Sequence, residues 1–197
     1  AVAMPSVTRH TRPMRLPWFG QAPKRIKTVA QRRRRVAVLA GATRAAAVQL
    51  RTIISVLFSE TDLEIAIGPA EINYFGLEGS KRIVPFGFEI DDFYACDLVI
   101  CRPGVGTITD CITANTPMLF FHEAGNLEMS YNAKVLEEQG IARTLGARFS
   151  KAQLLDLLSE MLKTESFMAR LDKLAAIPVD GFQKGANWIL QHKLAAI

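Results

Sequence analysis

The sequence has no apolar run long enough to form a membrane-spanning helix. No stretch approaches the roughly 18 residues that such a helix needs, and the N-terminus has neither the apolar core nor the cleavage site of a secretory signal. Cysteine is also scarce: Cys96, Cys101 and Cys111 are odd in number and match no zinc-binding spacing. We therefore expect a soluble, cytoplasmic protein with buried, reduced thiols and without a metal or cofactor.

Acidic residues are missing from one long stretch near the start. Residues 9–35 contain many lysines and arginines, three prolines and no sustained periodicity, and they carry much of the net charge of +5. This composition predicts a basic arm over residues 1–34, ahead of a domain over residues 35–197. A nucleic acid, a small phosphorylated ligand, or an anionic lipid surface with Trp18 and Phe19 as anchors would each suit the arm. The alternative is a solvated connector to a further domain, in which case the chain is a fragment.

After this arm, short apolar runs rich in β-branched residues alternate with stretches of helical periodicity. The apolarity of the runs is continuous rather than alternating, which predicts strands of a parallel sheet covered by helices on both faces. The last third indicates helices broken at Pro178 and Gly181. We predict an α/β fold, namely a doubly wound Rossmann-like sheet with C-terminal helices. Strands are predicted in RVAVLAG, LEIAIG, RIVPFG, DLVICRPG, PMLFF and IARTLG, and helices in TRAAAVQLRTIISVLFSE and near residues 107–114 and 127–139.

The turn at residues 102–106 is a candidate anion site. In doubly wound folds, ligands bind beyond the carboxyl ends of the strands, near the point where the strand order reverses. Gly104 and Gly106 would permit unusual backbone angles and the close approach of a ligand. A helix starting at Thr107 would add free N–H groups and the positive end of its dipole, which suit a phosphate. A plain glycine turn is the alternative, and the sequence is no Walker motif.

The spacing Thr107-Ile-Thr-Asp110 permits two interpretations. It fits a capping box, in which Asp110 would bond the N–H of the capping residue and contact no ligand. In nucleotide-binding α/β domains a carboxylate is also a common acceptor for two ribose hydroxyls. The local sequence does not decide between these roles.

The segment CDLVICRPGVGTITDCITANTPMLFF, followed by HEAGNLEMSYNAKVLEEQGIA, resembles the C-terminal, donor-binding half of GT-B glycosyltransferases. The resemblance is to the branch that contains the GlcNAc transferase of peptidoglycan lipid synthesis and the plant galactolipid synthases. The shared pattern is an apolar strand, an arginine and glycine turn, Thr-x-x-acid, an alanine-rich helix, a proline-led strand and a later Asn-Ala. The match covers most of the chain from Arg35 onward.

The resemblance implies that the chain binds a nucleotide-activated sugar, with a UDP-sugar as donor and inversion at the anomeric carbon. Asp110 would bind the ribose, although the relatives usually carry glutamate there, and the backbone of Phe86, Gly87 and Phe88 would recognise the uracil edge. The turn and helix start that would lie against the diphosphate are Arg102, Gly104, Val105, Gly106 and Thr107. The donor sugar would contact Asn126 and Glu128, and His122 would contact sugar or diphosphate unless it is only a polar strand terminus.

Two further matches involve the arm and the first strand. A Pro-x-Arg triplet contacts donor phosphate in the lipid-pathway enzyme, and Pro13-Met14-Arg15 lies at a similar distance before the first strand. The resemblance therefore implies a phosphate contact for Arg15. The first turn usually reads Gly-Gly-Ser or Gly-Gly-Thr, and its counterparts here are Gly41 and Thr43.

The resemblance places the catalytic base and the acceptor pocket mainly in an N-terminal domain, so the catalytic residues are unknown. Expected partners are the UDP-sugar, an N-terminal acceptor domain or partner subunit, and a membrane surface in peripheral contact. One alternative is the donor-binding subunit of a split transferase, and another is a non-catalytic nucleotide-binding protein. Nucleic-acid binding through the arginine run at residues 32–35 is not expected, because the run lacks the interleaved aromatics of a stacking platform.

Overall fold

A computed structural model describes residues 17–20, 24–27, 33–39 and 44–194. Strands and helices alternate along most of this chain, and helices alone form its last part. The strands are β1 (Arg35–Leu39), β2 (Glu64–Ile67), β3 (Ile83–Pro85), β4 (Leu98–Cys101), β5 (Met118–Phe121) and β6 (Ala142–Gly146). The helices are α1 (Arg44–Glu60), α2 (Pro69–Phe75), α3 (Ile90–Ala95), α4 (Val105–Thr113), α5 (Leu127–Glu138), α6 (Lys151–Leu162), α7 (Thr164–Ala175) and α8 (Gly181–Leu194).

The strands pair in parallel and form one six-stranded sheet in the order β3-β2-β1-β4-β5-β6. The chain builds outward from β1 through β2 to β3, and then crosses to β4 on the other side of β1. The strand order therefore reverses between β1 and β4, where Leu39 lies beside Cys101. This is the doubly wound sheet that the sequence predicts, and all six predicted strands are present.

Alternate residues of the strands pack into two cores, one on each face of the sheet. In β4, Leu98 and Ile100 belong to the core that α1 and α6 cover, whereas Val99 and Cys101 belong to the core that α3, α4 and α5 cover. Both faces are therefore buried, which explains the continuous apolarity of the strands. All three cysteines are buried in the second core and form no disulfide, as predicted.

The helices differ from the prediction in three respects. Helix α4 begins at Val105 rather than Thr107, the prediction lacks α2 and α3, and an additional break separates α6 from α7 at Lys163. The predicted break at Pro178 is confirmed, because residues 176–180 separate α7 from α8, and Gly181 is the first residue of α8. Within the described chain no helix is both long and apolar enough to cross a bilayer.

The two helices that the prediction lacks are short and depend on their caps. Helix α2 has Pro69 in its first turn and ends on Gly76 in the left-handed region, at φ 62°. Helix α3 is held by a capping box between Glu89 and Asp92. With seven and six residues, neither helix is long enough to show a clear apolar periodicity.

The described residues of the basic arm pack on the domain. The N–H of Trp18 donates to the carbonyl of Pro178 at 3.3 Å, and the N–H of Gly181 donates to the carbonyl of Trp18 at 3.0 Å. The ring of Phe19 packs edge-on against Phe182, with 5.0 Å between the ring centroids. The two aromatic residues considered as lipid anchors therefore contact the segment before α8 and the first two residues of that helix.

The arginines that precede and begin β1 are paired with acids at the amino edge of the sheet. These pairs offset much of the local positive charge and tie β1 to its neighbours. They are Arg33 with Asp62 at 3.2 Å, Arg34 with Asp97 at 3.2 Å and Arg35 with Glu64 at 2.9 Å.

Lys27 anchors the arm from a buried position. Its ammonium donates to the carbonyl of Cys96 and, at 2.7 Å, to Oγ1 of Thr116. Because Lys27→Ala removes the donor for both buried acceptors, we expect the free energy of unfolding in urea to fall by about 1–3 kcal/mol. Arg33→Ala breaks an exposed pair and should cost less than about 1 kcal/mol. Equal losses in the two variants would contradict the anchoring role.

Candidate functional site

The predicted site residues within the described chain lie along the carboxyl edge of the sheet. Residues 86–88, 102–107 and 122–128 follow β3, β4 and β5, and the carboxyl ends of parallel strands meet at one edge. The turn after β4 is next to the strand-order reversal. Arg15, Gly41 and Thr43 lie outside the described residues, so their roles stay predictions.

The N-terminus of α4 presents unpaired backbone donors at this edge. Gly104 is the N-cap residue, with φ −78°, ψ 141° and no side-chain cap. The N–H groups of Val105, Gly106 and Thr107 have no acceptor among residues 17–20, 24–27, 33–39 and 44–194. The first turn carries no acidic side chain. Unpaired donors at the positive end of a helix favour the binding of an anion.

The glycines of this turn provide space rather than unusual backbone angles. The prediction of unusual angles is wrong, because Gly104 has φ −78° and the glycines with positive φ are elsewhere. Gly106 lies within the first turn of α4. A Cβ atom built on either glycine would meet no described atom within 4 Å. The missing side chains therefore leave the space beside the N–H donors open to a ligand.

Asp110 does not form the predicted capping box. Because α4 begins at Val105, Thr107 and Asp110 both lie inside the helix, and the capping interpretation is wrong. Asp110 follows Gly106 by four residues, which places the two on one face of the helix. Burial raises the pKa of its carboxyl, and its side chain has no hydrogen bond or ion pair with the rest of the described chain. The ribose interpretation stays a prediction.

The loop after β3 exposes the peptide groups of one predicted residue. Phe86 is buried in the core, and the N–H of Gly87 donates to Oδ2 of Asp92 at 3.1 Å. Phe88 is 58% exposed and has φ 65°, an unusual angle for a bulky residue. Its N–H and carbonyl have no partner in the part of the chain that the structure describes. Backbone strain of this kind is often kept at ligand sites.

The loop after β5 contains the predicted sugar contacts. Oδ1 of Asn126 accepts from the N–H of Met129 at 3.1 Å and caps α5, so its amide NH₂ is the part left for a ligand. Nδ1 of His122 lies 3.1 Å from the carbonyl oxygen of Glu123. Glu128 is exposed in the first turn of α5. The structure places these residues at the carboxyl edge of the sheet, and their contact with a sugar stays a prediction.

Glu123 and Asn132, which are outside the predicted set, hold the turn after β4. Nη2 of Arg102 lies 2.9 Å from Oε2 of Glu123, and Nδ2 of the buried Asn132 donates to the carbonyl of Pro103 at 3.0 Å. The Asn-Ala of the shared pattern is a sequence signal for Asn132. Nothing in the local sequence pairs Glu123 with an arginine 21 residues earlier.

Comparison with known families identifies the family of the domain that contains this edge. The family described as glycosyltransferase family 28 C-terminal domain matches residues 65–183, more than half of the chain. The chain belongs to this family. The match includes the β3, β4 and β5 loops and α4, and the resemblance stated from the sequence is confirmed.

Curated relatives of this family 28 domain match over part of their length. An uncharacterized glycosyltransferase of Methanosarcina acetivorans is 28% identical over 103 residues, which cover 50% of this chain and 26% of the relative. A second relative, from Caldanaerobacter subterraneus, is 31% identical over 110 residues, which cover 49% of this chain and 30% of the relative. It is a UDP-N-acetylglucosamine--N-acetylmuramyl-(pentapeptide) pyrophosphoryl-undecaprenol N-acetylglucosamine transferase. The match thus spans less than a third of either relative.

Solved structures of glycosyltransferases share the fold. MurG of Acinetobacter baumannii has a TM-score of 0.67 at 18% identity, over 83% of this chain and 51% of that chain. The glycosyltransferase VinC in complex with dTDP has a TM-score of 0.56 at 18% identity, over 77% of this chain and 40% of the VinC chain. The predicted GT-B half is confirmed as a fold, and it corresponds to about half of each solved chain.

Proposed function

We propose that this chain is the donor-binding domain of a glycosyltransferase and that its donor is a UDP-sugar. The observation that carries the proposal is the start of α4, where three N–H groups without an acceptor in the described chain lie at the strand-order reversal. The carboxylate of Asp110, which has no partner among the described residues, follows on the same face of the helix. Family membership supports this function, as does the curated relative whose name includes UDP-N-acetylglucosamine.

The N–H groups of Val105, Gly106 and Thr107 bind the donor diphosphate in this proposal. Phosphate oxygens would complete the hydrogen bonds that the first turn lacks, and the helix dipole would favour their charge. Gly104 and Gly106 leave the space that the phosphates occupy. VinC, the neighbour described above in complex with dTDP, supports a nucleoside diphosphate as the class of ligand.

The nucleoside then extends from α4 toward the loop after β3. The carboxylate of Asp110 accepts hydrogen bonds from the ribose hydroxyls. These hydrogen bonds offset the free-energy cost of burying its charge. The N–H and carbonyl of Phe88 match the O4 acceptor and N3–H donor of uracil. Phe86 and Gly87 support this contact by fixing the loop: the Phe86 ring packs 5.1 Å from the Phe88 ring, and Gly87 is held by Asp92.

The donor sugar lies at the loop after β5, near His122, Asn126 and Glu128. The resemblance adds Arg15, Gly41 and Thr43 as further contacts of the donor phosphates. A sugar held between α4 and this loop would present its anomeric carbon toward the open edge of the sheet.

Transfer proceeds by attack of an acceptor hydroxyl on the anomeric carbon, opposite the diphosphate, with inversion. A base from the acceptor half removes the hydroxyl proton as the bond from the anomeric carbon to the diphosphate breaks. The N–H groups of α4 stabilise the negative charge that develops on the departing diphosphate. The acceptor half is a partner domain or subunit in this proposal.

Two alternatives share the donor site and differ in the partner. The chain could act as the donor subunit of a split transferase, or bind nucleotide without catalysis. We further propose a cytoplasmic location with peripheral membrane contact, in which the basic arm supplies the attraction to anionic lipid.

Isothermal titration calorimetry with UDP, dTDP, GDP and uridine tests this function. We expect UDP to bind and dTDP to bind more weakly, because dTDP offers one ribose hydroxyl fewer. GDP should bind poorly, because its two-ring base places the equivalent O6 and N1–H groups farther from the ribose than O4 and N3–H of uracil, and so out of register with the peptide of Phe88. Uridine should bind much more weakly than UDP, since it lacks the diphosphate. Absence of UDP binding, or equal affinities for UDP and uridine, would contradict the proposal.

A further inference from the structure

Arg102 lies beside the proposed diphosphate site, yet its charge is already compensated. Its Nη2 atom is 2.9 Å from Oε2 of Glu123, and the two side chains are 15% and 23% exposed. Its Nε is buried and has no hydrogen-bond partner in the described parts of the chain. A guanidinium that turned away to a phosphate would have to break this largely buried ion pair, which costs free energy.

The ion pair joins two loops that the proposed donor spans. Arg102 begins the turn after β4, which leads into α4, whereas Glu123 belongs to the loop after β5, which contains the proposed sugar contacts. The two strands are neighbours in the sheet, with Cys101 beside Phe120. Asn132 reinforces the connection by binding the carbonyl of Pro103 from α5. The turn after β4 is thus held twice from the β5–α5 side.

We propose that Arg102 is a positioning residue and not a phosphate ligand: its ion pair with Glu123 holds the start of α4 and the sugar loop in one fixed arrangement. The inference rests on the proposed donor site. It assigns diphosphate binding to the backbone N–H groups, and it gives Glu123 a role that is absent from the sequence prediction. The positive charge of Arg102 also reduces the repulsion between the Glu123 carboxylate and the diphosphate.

The sign of the effect of Glu123→Gln separates the two roles of Arg102. A phosphate-binding arginine would be released by this variant, so UDP would bind more tightly. A positioning arginine loses its charged partner, so UDP should bind about tenfold more weakly, which corresponds to about 1.4 kcal/mol. Arg102→Gln should have a similar effect, and the double variant should be no worse than either single one, because all three lose the same pair.

A second ion pair provides the control. Arg35 and Glu64 also lie 2.9 Å apart and join neighbouring strands, but at the amino edge of the sheet. Glu64→Gln should lower the melting temperature without changing UDP affinity. A loss of UDP affinity in this variant as large as that in Glu123→Gln would show a general effect of stability and overturn the proposal.

Hydrogen exchange of the ligand-free protein tests the coupling without any nucleotide. Glu123→Gln should accelerate exchange at the first hydrogen-bonded amide after the turn that follows β4, Ile108, which donates to Gly104. It should also accelerate exchange at the first bonded amides after the loop that follows β5, Met129 and Ser130, which donate to Asn126, whereas Glu64→Gln should accelerate neither set. Tighter UDP binding by Glu123→Gln, additive effects in the double variant, or faster exchange in only one loop would each overturn the positioning role. If the wild type binds no UDP, the proposed function fails, and the exchange experiment alone decides whether Arg102 couples the two loops.

Discussion

Replacing Asp110 with asparagine is expected to weaken UDP binding by about 1.5–3 kcal/mol, the range for a hydrogen bond to a charged group. The carboxylate has no partner in the described chain, and it shares a helix face with Gly106 beside the proposed diphosphate. Asparagine keeps the shape of the side chain and can still accept a hydrogen bond, but it lacks the charge. Calorimetric titration of both proteins at one pH measures the difference.

The same substitution is expected to stabilise the ligand-free protein. Burial raises the pKa of Asp110 above its ordinary value of 3.8, so the folded state binds this proton more tightly than the unfolded state does. The resulting contribution to stability is present below pH 3.8 and is lost as the pH rises through the folded-state pKa. Above that pH the buried charge is a penalty that asparagine does not have. The melting temperature of Asp110→Asn should therefore exceed that of the wild type at neutral pH but not below pH 3.8.

The ligand series gives this prediction a specific signature. UDP offers two ribose hydroxyls and dTDP offers one, so Asp110→Asn should lose more affinity for UDP than for dTDP. Asp156→Asn, an exposed change on α6, should alter neither affinity nor stability. Unchanged UDP affinity together with a lower melting temperature would remove Asp110 from the ribose site.

The sequence predicts the sheet well because the signals for its strands are local. The four inner strands, β1, β2, β4 and β5, are short apolar runs buried on both faces, and the residues that flank them in sequence do not alter that signal. The first residue of α4 is harder to predict from the sequence. Thr107 and Asp110 have the spacing of a capping box, but Gly104 takes the N-cap position and the helix begins on Val105, where the residue types give weak guidance.

Contacts between distant residues account for most of what the sequence does not reveal. The ion pair of Arg102 with Glu123 depends on β4 and β5 being adjacent, which a single sequence does not specify. Likewise, Trp18 meets Pro178 across most of the chain length, and no local pattern predicts that a basic, proline-containing arm packs there. The unusual backbone of Phe88 also arises from its surroundings, since Asp92 clamps the peptides on both sides of it.

A protein consisting of these 197 residues is expected to bind the donor and to transfer no sugar. The family matched is a C-terminal domain, and the chain covers 51% of the MurG structure with which it shares the fold. In the proposed mechanism the acceptor pocket and base belong to the other half. Alignment of two substrates can lower a barrier by roughly 7–11 kcal/mol, and a donor domain alone leaves that alignment unmade.

Incubation of the chain with a radiolabelled UDP-sugar and a panel of lipid and sugar acceptors measures whether it transfers the sugar. Labelled glycoside should stay at background, while slow release of UDP can occur because water reaches the uncovered anomeric carbon. The full-length transferase of Caldanaerobacter subterraneus with its own acceptor is the positive control for the assay. If product appears only after a separately expressed acceptor half is added, the split-transferase alternative gains support. Steady glycoside formation by the chain alone would mean that it supplies its own base and acceptor pocket, and the assignment as a donor domain would have to be abandoned.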